Sequence, residues 1–247
     1  MSMVILAFGA LMGSFLNLVA MRSLRGKSIV SPRSHCEYCE RVLDASSLIP
    51  ILSYLVQRGR CKYCDHPLEL RYLLSELVLP ILYLWIFLRL GLSWAFFEGL
   101  VIGSILYVLA LTDLEEESLL EVHLACLYGL AILGILLRFY QRKLPMGFFL
   151  LPMLFLLLQF FVERYLPGRI GDGDLMLLIP LFSYFDPLKG LAFFFIAIWL
   201  ALIPSIICLL KGGSLKTKIP MAPFITLSFF LVYLEGDMVL RAWGWIG

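Results

Sequence analysis

Long apolar runs separated by short polar joints dominate the chain, and a single polar stretch near the start interrupts them. The runs cover residues 1–21, 72–90, 95–112, 119–137, 146–162, 174–185, 190–210 and 221–240. A helix needs about 20 apolar residues to cross a ~30 Å hydrocarbon layer, so the pattern predicts an all-α polytopic membrane protein with about eight transmembrane helices. Three parts follow: a first transmembrane helix over 1–21, a small polar module over 22–71 and a helical bundle over 72–247. The run from Leu175 to Phe185 is the weak member, since eleven residues reach only about half of that layer. Asp186-Pro187 ends it. Either this helix is short and shielded by its neighbours, or it begins earlier and carries Asp172 and Asp174 to membrane depth. Both versions require protein or water around an aspartate.

Composition agrees with that pattern. Apolar residues make up 61% of the chain and charged residues 15%, with a mean hydropathy of +0.92, whereas soluble domains carry about 25% charge. A net charge of +2 with no arginine-aromatic stripe gives no reason to expect nucleic acid. The first run has no basic residue ahead of it and is followed by Arg22, Arg25 and Lys27, the reverse of a cleaved secretory signal, so it reads as a retained helix. Gly9 and Gly13 lie four apart on one face of it, which suits close helix packing.

Charge also orients the chain. With the 22–71 module in the cytoplasm, that side holds 14 Lys or Arg, including Arg164, Arg169, Lys211, Lys216 and Lys218, against six on the other. The positive-inside bias therefore favours outside termini and a cytoplasmic module. The cluster Arg138, Arg142 and Lys143 runs against the rule.

Two acidic points stand at the edges of apolar runs: Asp113, in Leu111-Thr112-Asp113-Leu114, and Gly171-Asp172-Gly173-Asp174. A carboxylate kept near hydrocarbon is a functional hypothesis by default. Two crossings separate Asp113 from Asp174, so both return to the same membrane face whatever the orientation. Peptide hydrolysis by carboxyls needs one ionised group to take a proton from water and one protonated group to polarise the carbonyl, and two close carboxyls share one proton for that purpose. Asp113 is expected just after the C-terminal end of one helix, with Glu115, Glu116, Glu117 and Glu121 suiting the first turn of the next. Asp174 is expected in a glycine-bounded turn, with Asp172 its rival. The competing reading for both is helix N-capping, which is the commoner job of an isolated Gly-Asp.

Cys36-Glu37-Tyr38-Cys39 and Cys61-Lys62-Tyr63-Cys64 enclose 21 residues, the two-knuckle spacing of a structural zinc site. Four thiolates from Cys36, Cys39, Cys61 and Cys64 close a tetrahedral shell, so the zinc is a fold staple rather than a catalyst, and some fifty residues could hardly build a core without one. Two disulfides are the alternative, which a cytoplasmic module disfavours. His35 and His66 flank the cysteines as substitute ligands, and His123 reads as a hydrogen-bonded interfacial histidine. Cys126 and Cys208, alone inside apolar runs, read as inert core residues.

The Gly171-Asp172-Gly173-Asp174 stretch resembles the Gly-x-Gly-Asp motif of intramembrane aspartyl proteases, and nearly the whole chain resembles the type IV prepilin peptidases. Gly13-Ser14-Phe15-Leu16-Asn17 with Arg22 is similar to that family's opening. The paired cysteines, Arg58-Gly59-Arg60-Cys61 and Arg71-Tyr72 with Glu76 are similar to its cytoplasmic loop, and Lys218-Ile219-Pro220 with Pro223-Phe224 to the approach to its last helix. The chain departs from the family at Leu119-Leu120-Glu121, where Leu-Pro-Asp is usual, at Met176, where Lys is usual, and at Glu37-Tyr38, where the first cysteine pair usually encloses a proline. The resemblance implies catalysis by Asp113 and Asp174 and cleavage of the basic leader from type IV prepilins or type II secretion pseudopilins. It implies a bacterial inner-membrane location with the active site on the cytoplasmic side. It also implies N-methylation of the new N-terminus from S-adenosylmethionine, although no glycine-rich nucleotide loop is visible. A proton-coupled transporter using the same aspartates is the alternative of another class, and a preflagellin-type peptidase, usually without the cysteines, a third.

Overall fold

The computed structural model describes residues 1–140, 149–165, 172–212 and 219–246. Gly171, Lys218, Arg142, Lys143, Arg169 and Lys216, singled out above, lie outside the described residues. Nine α-helices occur among those described: α1 Ser2–Leu24, α2 Leu52–Val56, α3 Leu70–Leu90, α4 Trp94–Glu116, α5 Glu121–Tyr140, α6 Leu150–Tyr165, α7 Asp172–Phe182, α8 Pro187–Leu210 and α9 Ala222–Ala242. Six of them (α1, α3, α4, α5, α8 and α9) are long and apolar enough to cross a membrane, while Leu150–Phe161 and Gly173–Phe182 are shorter apolar segments. Every apolar run therefore holds a helix, six of full length and two short. The chain divides into two compact units, Met1–Val108 and Leu109–Gly247.

In the first unit α1 and α3 pair closely because their facing side chains are small. A Cβ on Gly9 would lie 2.6 Å from Pro80 Cα, and one on Gly13 would lie 2.6 Å from the Ser75 carbonyl oxygen. Both glycines are thus packing residues, as their spacing suggested. The first half of α4 joins the pair through polar contacts that apolar surroundings make exclusive: Tyr107 donates to the Ser75 carbonyl at 2.9 Å, and Tyr83 bonds Ser104 at 2.6 Å. Lipid supplies no competing partner for such groups. Outward, Val4, Phe8, Leu11 and Phe15 of α1 are exposed at helical spacing, as a lipid-facing stripe requires.

Between α1 and α3 the polar module folds as two matching knuckles. In the first, Cys36 N–H donates to the Arg41 carbonyl and Glu40 N–H to the Cys36 carbonyl; in the second, Cys61 N–H donates to the His66 carbonyl and Asp65 N–H to the Cys61 carbonyl. Isolated antiparallel bridges His35 to Val42 and Arg60 to Pro67 close each one. Glu40 and Asp65, each four residues after the first cysteine of its pair, take φ of 57° and 56°. The halves are therefore one backbone design used twice, 25 positions apart. Between them run a 3-10 turn at Ala45–Leu48 and the short helix α2, neither of which the apolar pattern announced. Asp44 caps that turn at the Ser47 N–H and pairs with Lys62 at 2.6 Å, and the Lys62 ammonium, the Ser47 and Ser46 hydroxyls and the Ser47 N–H hold its carboxyl well below the usual carboxylate range.

The second unit is built round aromatic rings. Phe182 of α7 meets Phe155 of α6 and Phe193 of α8 at centroid distances of 4.5 and 5.4 Å, and Phe229 of α9 packs on Phe185 at 5.3 Å. Phe182, Phe193 and Phe229 are fully buried, and edge-to-face and tilted pairs of this kind add to plain burial. Helix α7, at eleven residues, is short and shielded: Leu177 and Leu181 are inaccessible and Leu175, Leu178 and Ile179 nearly so. It stops at Phe182, and Asp186 then caps α8, accepting from the Leu188 and Lys189 N–H groups. Arg138, one of the residues opposing the charge count, is engaged inside this unit, donating to the Ser183 carbonyl at 2.8 Å and lying over the Tyr184 ring.

Several local expectations change. Cys126 is exposed and Cys208 partly so, because apolar surroundings in this chain include lipid as well as protein core. Among the described residues, His123 Nδ1 is buried with no hydrogen-bond partner, not satisfied as expected.

Candidate active site and metal centre

Asp113 lies inside the last turn of α4, and not beyond its end, because helical hydrogen bonding continues to Glu116. Glu115 and Glu116 therefore close α4 instead of opening the next helix, and Glu117 ends it at φ 51° with its N–H on the Asp113 carbonyl. The Asp113 side chain is 7% exposed, and its Oδ2 accepts the Ala222 backbone N–H at 2.8 Å. Ala222 is the first residue of α9, so the carboxylate occupies the positive end of that helix. This contact answers an orphan donor of α9 and fixes Asp113 at once.

Asp174 is the third residue of α7, so the Asp-Gly-Asp stretch forms a first helical turn, not the open glycine turn expected. Its carboxyl is half-buried and within electrostatic range of Asp113. The two aspartates, 61 positions apart, are thus brought into electrostatic reach of each other by α4 and α7. Gly173 has a packing reason of its own: a Cβ there would lie 3.2 Å from Leu119 Cδ1. Tyr128 of α5 holds the next turn of α7 by donating to the Met176 carbonyl at 3.0 Å. Sequence reasoning missed the Ala222 contact. The Pro220-Met221-Ala222-Pro223 stretch carried the signal, as proline marks a helix start, where the first N–H groups have no partner within the helix.

In the polar module the sulfurs of Cys36, Cys39, Cys61 and Cys64 all lie within 4.8 Å of one another, and those of Cys36 and Cys64 are 3.9 Å apart. Tetrahedral metal–sulfur bonds of about 2.3 Å place sulfurs roughly 3.8 Å apart, so the four fit a single thiophilic ion. Burial works to raise the Cys61 thiol, but the Tyr63 and Cys64 N–H groups and the neighbouring thiols outweigh it and bring it down to about 7. At Cys64 the His66 N–H is outweighed by burial and the three other sulfurs, which push it up to about 12. Four thiols crowded this closely shed their protons together only where a cation compensates. His35 and His66 stay outside the cluster: His35 Nδ1 faces the Arg33 carbonyl and His66 stacks on Tyr38 at 4.1 Å.

Fold and site together define a polytopic helical membrane protein with two aspartates in electrostatic range of each other and a four-cysteine cluster that fits a metal ion. Residues 7–90 match the family described as Bacterial Peptidase A24 N-terminal domain. The chain is 30% identical over 248 residues to a prepilin leader peptidase/N-methyltransferase of Bacillus subtilis (strain 168), covering 96% of this chain and 95% of that protein. It is 25% identical to a protein of the same name from Neisseria gonorrhoeae, over 96% of this chain and 91% of the other. With the type 4 prepilin-like proteins leader peptide-processing enzyme of Escherichia coli O78:H11 it shares 26% identity, over 92% and 91%. No solved structure matches the chain. The chain belongs to the prepilin leader peptidase/N-methyltransferase family of A24 peptidases.

Proposed function

We propose that this protein cleaves the leader from prepilin-type precursors with Asp113 and Asp174 and then methylates the new N-terminus. The observation that carries the hydrolytic half is that two carboxyls on separate apolar helices lie within electrostatic range of each other, one of them held by the Ala222 N–H. Asp113, already accepting an N–H at a helix start, is the member suited to carry the charge and take a proton from water. Asp174 holds the shared proton and polarises the scissile carbonyl. A bond joining a basic leader to an apolar helix suits carboxyls at the boundary of spanning helices. The positive-inside count favours this chemistry on the cytoplasmic side, and the bacterial relatives favour an inner-membrane location.

The test uses purified protein in vesicles with a synthetic prepilin, cleavage being read by mass. Asp113→Asn and Asp174→Asn leave an inserted protein that does not cut, and retained cutting in either overturns the assignment. An Asp172→Asn variant that cuts normally separates Asp174 from its neighbour.

Zinc is the ion that the four-cysteine shell suits, as a staple with no open coordination position. S-adenosylmethionine is the donor that methyl transfer calls for. The recess lined by Phe149, Leu150, Met153, Leu154 and Leu157 is apolar and does not suit that donor's charged amino-acid end, so no residue is assigned to it. Methyl-labelled donor incubated with enzyme and prepilin decides the second activity, and a cleaved but unlabelled product refutes it.

A further inference from the structure

Three observations meet on the segment between the two knuckles. The chain turns at Ile51 with φ 64° and ψ −54°, and Leu52 N–H donates to the Pro50 carbonyl at 2.6 Å. This is the rare and strained form of γ-turn, here with a β-branched residue at its centre. Such an outlier persists only where its surroundings hold it. The holder is Glu76 of α3, whose Oε2 accepts the Ile51 N–H at 2.6 Å while Oε1 accepts the Ser14 hydroxyl of α1 at 2.9 Å. One carboxylate thus ties the module to both membrane helices.

Glu76 is the seventh residue of α3, about 9 Å along the helix from its start. The beginning of α2 is therefore drawn alongside the second turn of a spanning helix, level with the lipid-facing side chains Leu74 and Val78. From there α2 presents Leu52, Leu55 and Val56 on one face at i, i+3 and i+4, exposed by 59%, 59% and 80%, with Leu48 and Ile49 exposed just before them. The Ile51 end of this surface is held level with Ser14 of α1 and Glu76 of α3. Arg58 follows it, exposed, and residues 22–71 hold nine Lys or Arg against five Asp or Glu. Apolar side chains backed by basic ones fit the boundary of an anionic bilayer.

We propose that residues 48–56 form an interfacial membrane anchor, with Leu52, Leu55 and Val56 inserted among acyl chains and Arg58 at the headgroups of anionic lipid. The strained turn at Ile51 aims the helix downward, and Glu76 sets its depth. The anchor fixes the knuckles against the bilayer surface. It does not depend on the catalytic assignment, and cleavage can fail with the anchor intact.

The test places a photo-reactive benzoylphenylalanine at Leu55 or Val56 of the full chain, in vesicles of phosphatidylethanolamine and phosphatidylglycerol with prepilin present. Mass spectrometry after illumination is expected to find lipid adducts at both positions, several-fold above those at exposed Asp65. Adducts to prepilin, adducts to a second copy, or no excess over Asp65 each overturn the proposal. A second measurement avoids the bulky probe. In the same vesicles, Leu55→Asp with Val56→Asp raises amide hydrogen exchange over residues 52–57 several-fold and leaves 36–42 unchanged. Unchanged exchange over 52–57, the result for a face turned to water, also overturns it.

Discussion

The Asp113 carboxylate accepts the backbone N–H of Ala222, a residue 109 positions further along the chain, at 2.8 Å. One side chain thereby caps the last helix and belongs to the acidic pair, so stability and chemistry separate on substitution. Asp113→Asn keeps an oxygen for the Ala222 N–H and is expected to fold as the parent does while losing cleavage. Asp113→Ala loses both, with a further cost of about 0.5–2 kcal/mol typical of a lost cap. Thermal unfolding in detergent beside a prepilin cleavage assay checks the pair, and an active Asn variant would sink the catalytic role.

Glu76 offers a second separation. Glu76→Ala strands the Ser14 hydroxyl and the Ile51 N–H and is expected to cost about 1–3 kcal/mol, whereas Glu76→Gln retains an acceptor and costs less. Denaturation monitored on the module should rank the two in that order.

At the α1–α3 contact the expected effect is steric. Gly13→Val drives a side chain into the Ser75 carbonyl, a backbone atom that cannot step aside, and overpacking of this kind costs about 1–3 kcal/mol. Gly129 of α5, with helical backbone and nothing within 4 Å of a Cβ among the described residues, feels no such clash. Melting temperatures of Gly13→Val and Gly129→Ala should differ accordingly.

For the metal centre the expectation is about one zinc per chain by elemental analysis. Cys61→Ser or exhaustive chelation should remove it and open residues 34–67 to proteolysis, with the spanning helices still inserted. A protein that keeps its protease resistance without metal would contradict the staple role.

Much of this was legible in residue order. Apolar runs report helices faithfully in lipid because every backbone group must be bonded within its own segment, which is why all eight runs hold one. The cysteine spacing reported the cluster for a similar reason, since few other arrangements use two Cys-x-x-Cys pairs. Asp113 and Asp174 stand out in the sequence because charge is costly beside hydrocarbon. What failed was local. The end of α4 was set four residues early because the polar residues Asp113, Glu115 and Glu116 look like a helix terminus and yet continue the helix. Ala222 went unnoticed because the prolines around it mark a helix start but do not say which distant side chain its N–H will meet. The γ-turn at Ile51 was invisible for the opposite reason: nothing about isoleucine favours that conformation, and Glu76, 25 positions away, supplies the cause.

The repeated knuckle has a consequence for how tightly the ion is held. Each half is a two-toothed chelator, and the 21 residues joining them act as a tether that sets the local concentration of one sulfur pair at the other. The strained turn and α2 form the middle of that tether, so its end-to-end length is fixed by whatever grips it. By thermodynamic reciprocity, any grip that favours the closed span tightens metal capture, and captured metal strengthens the grip by the same factor.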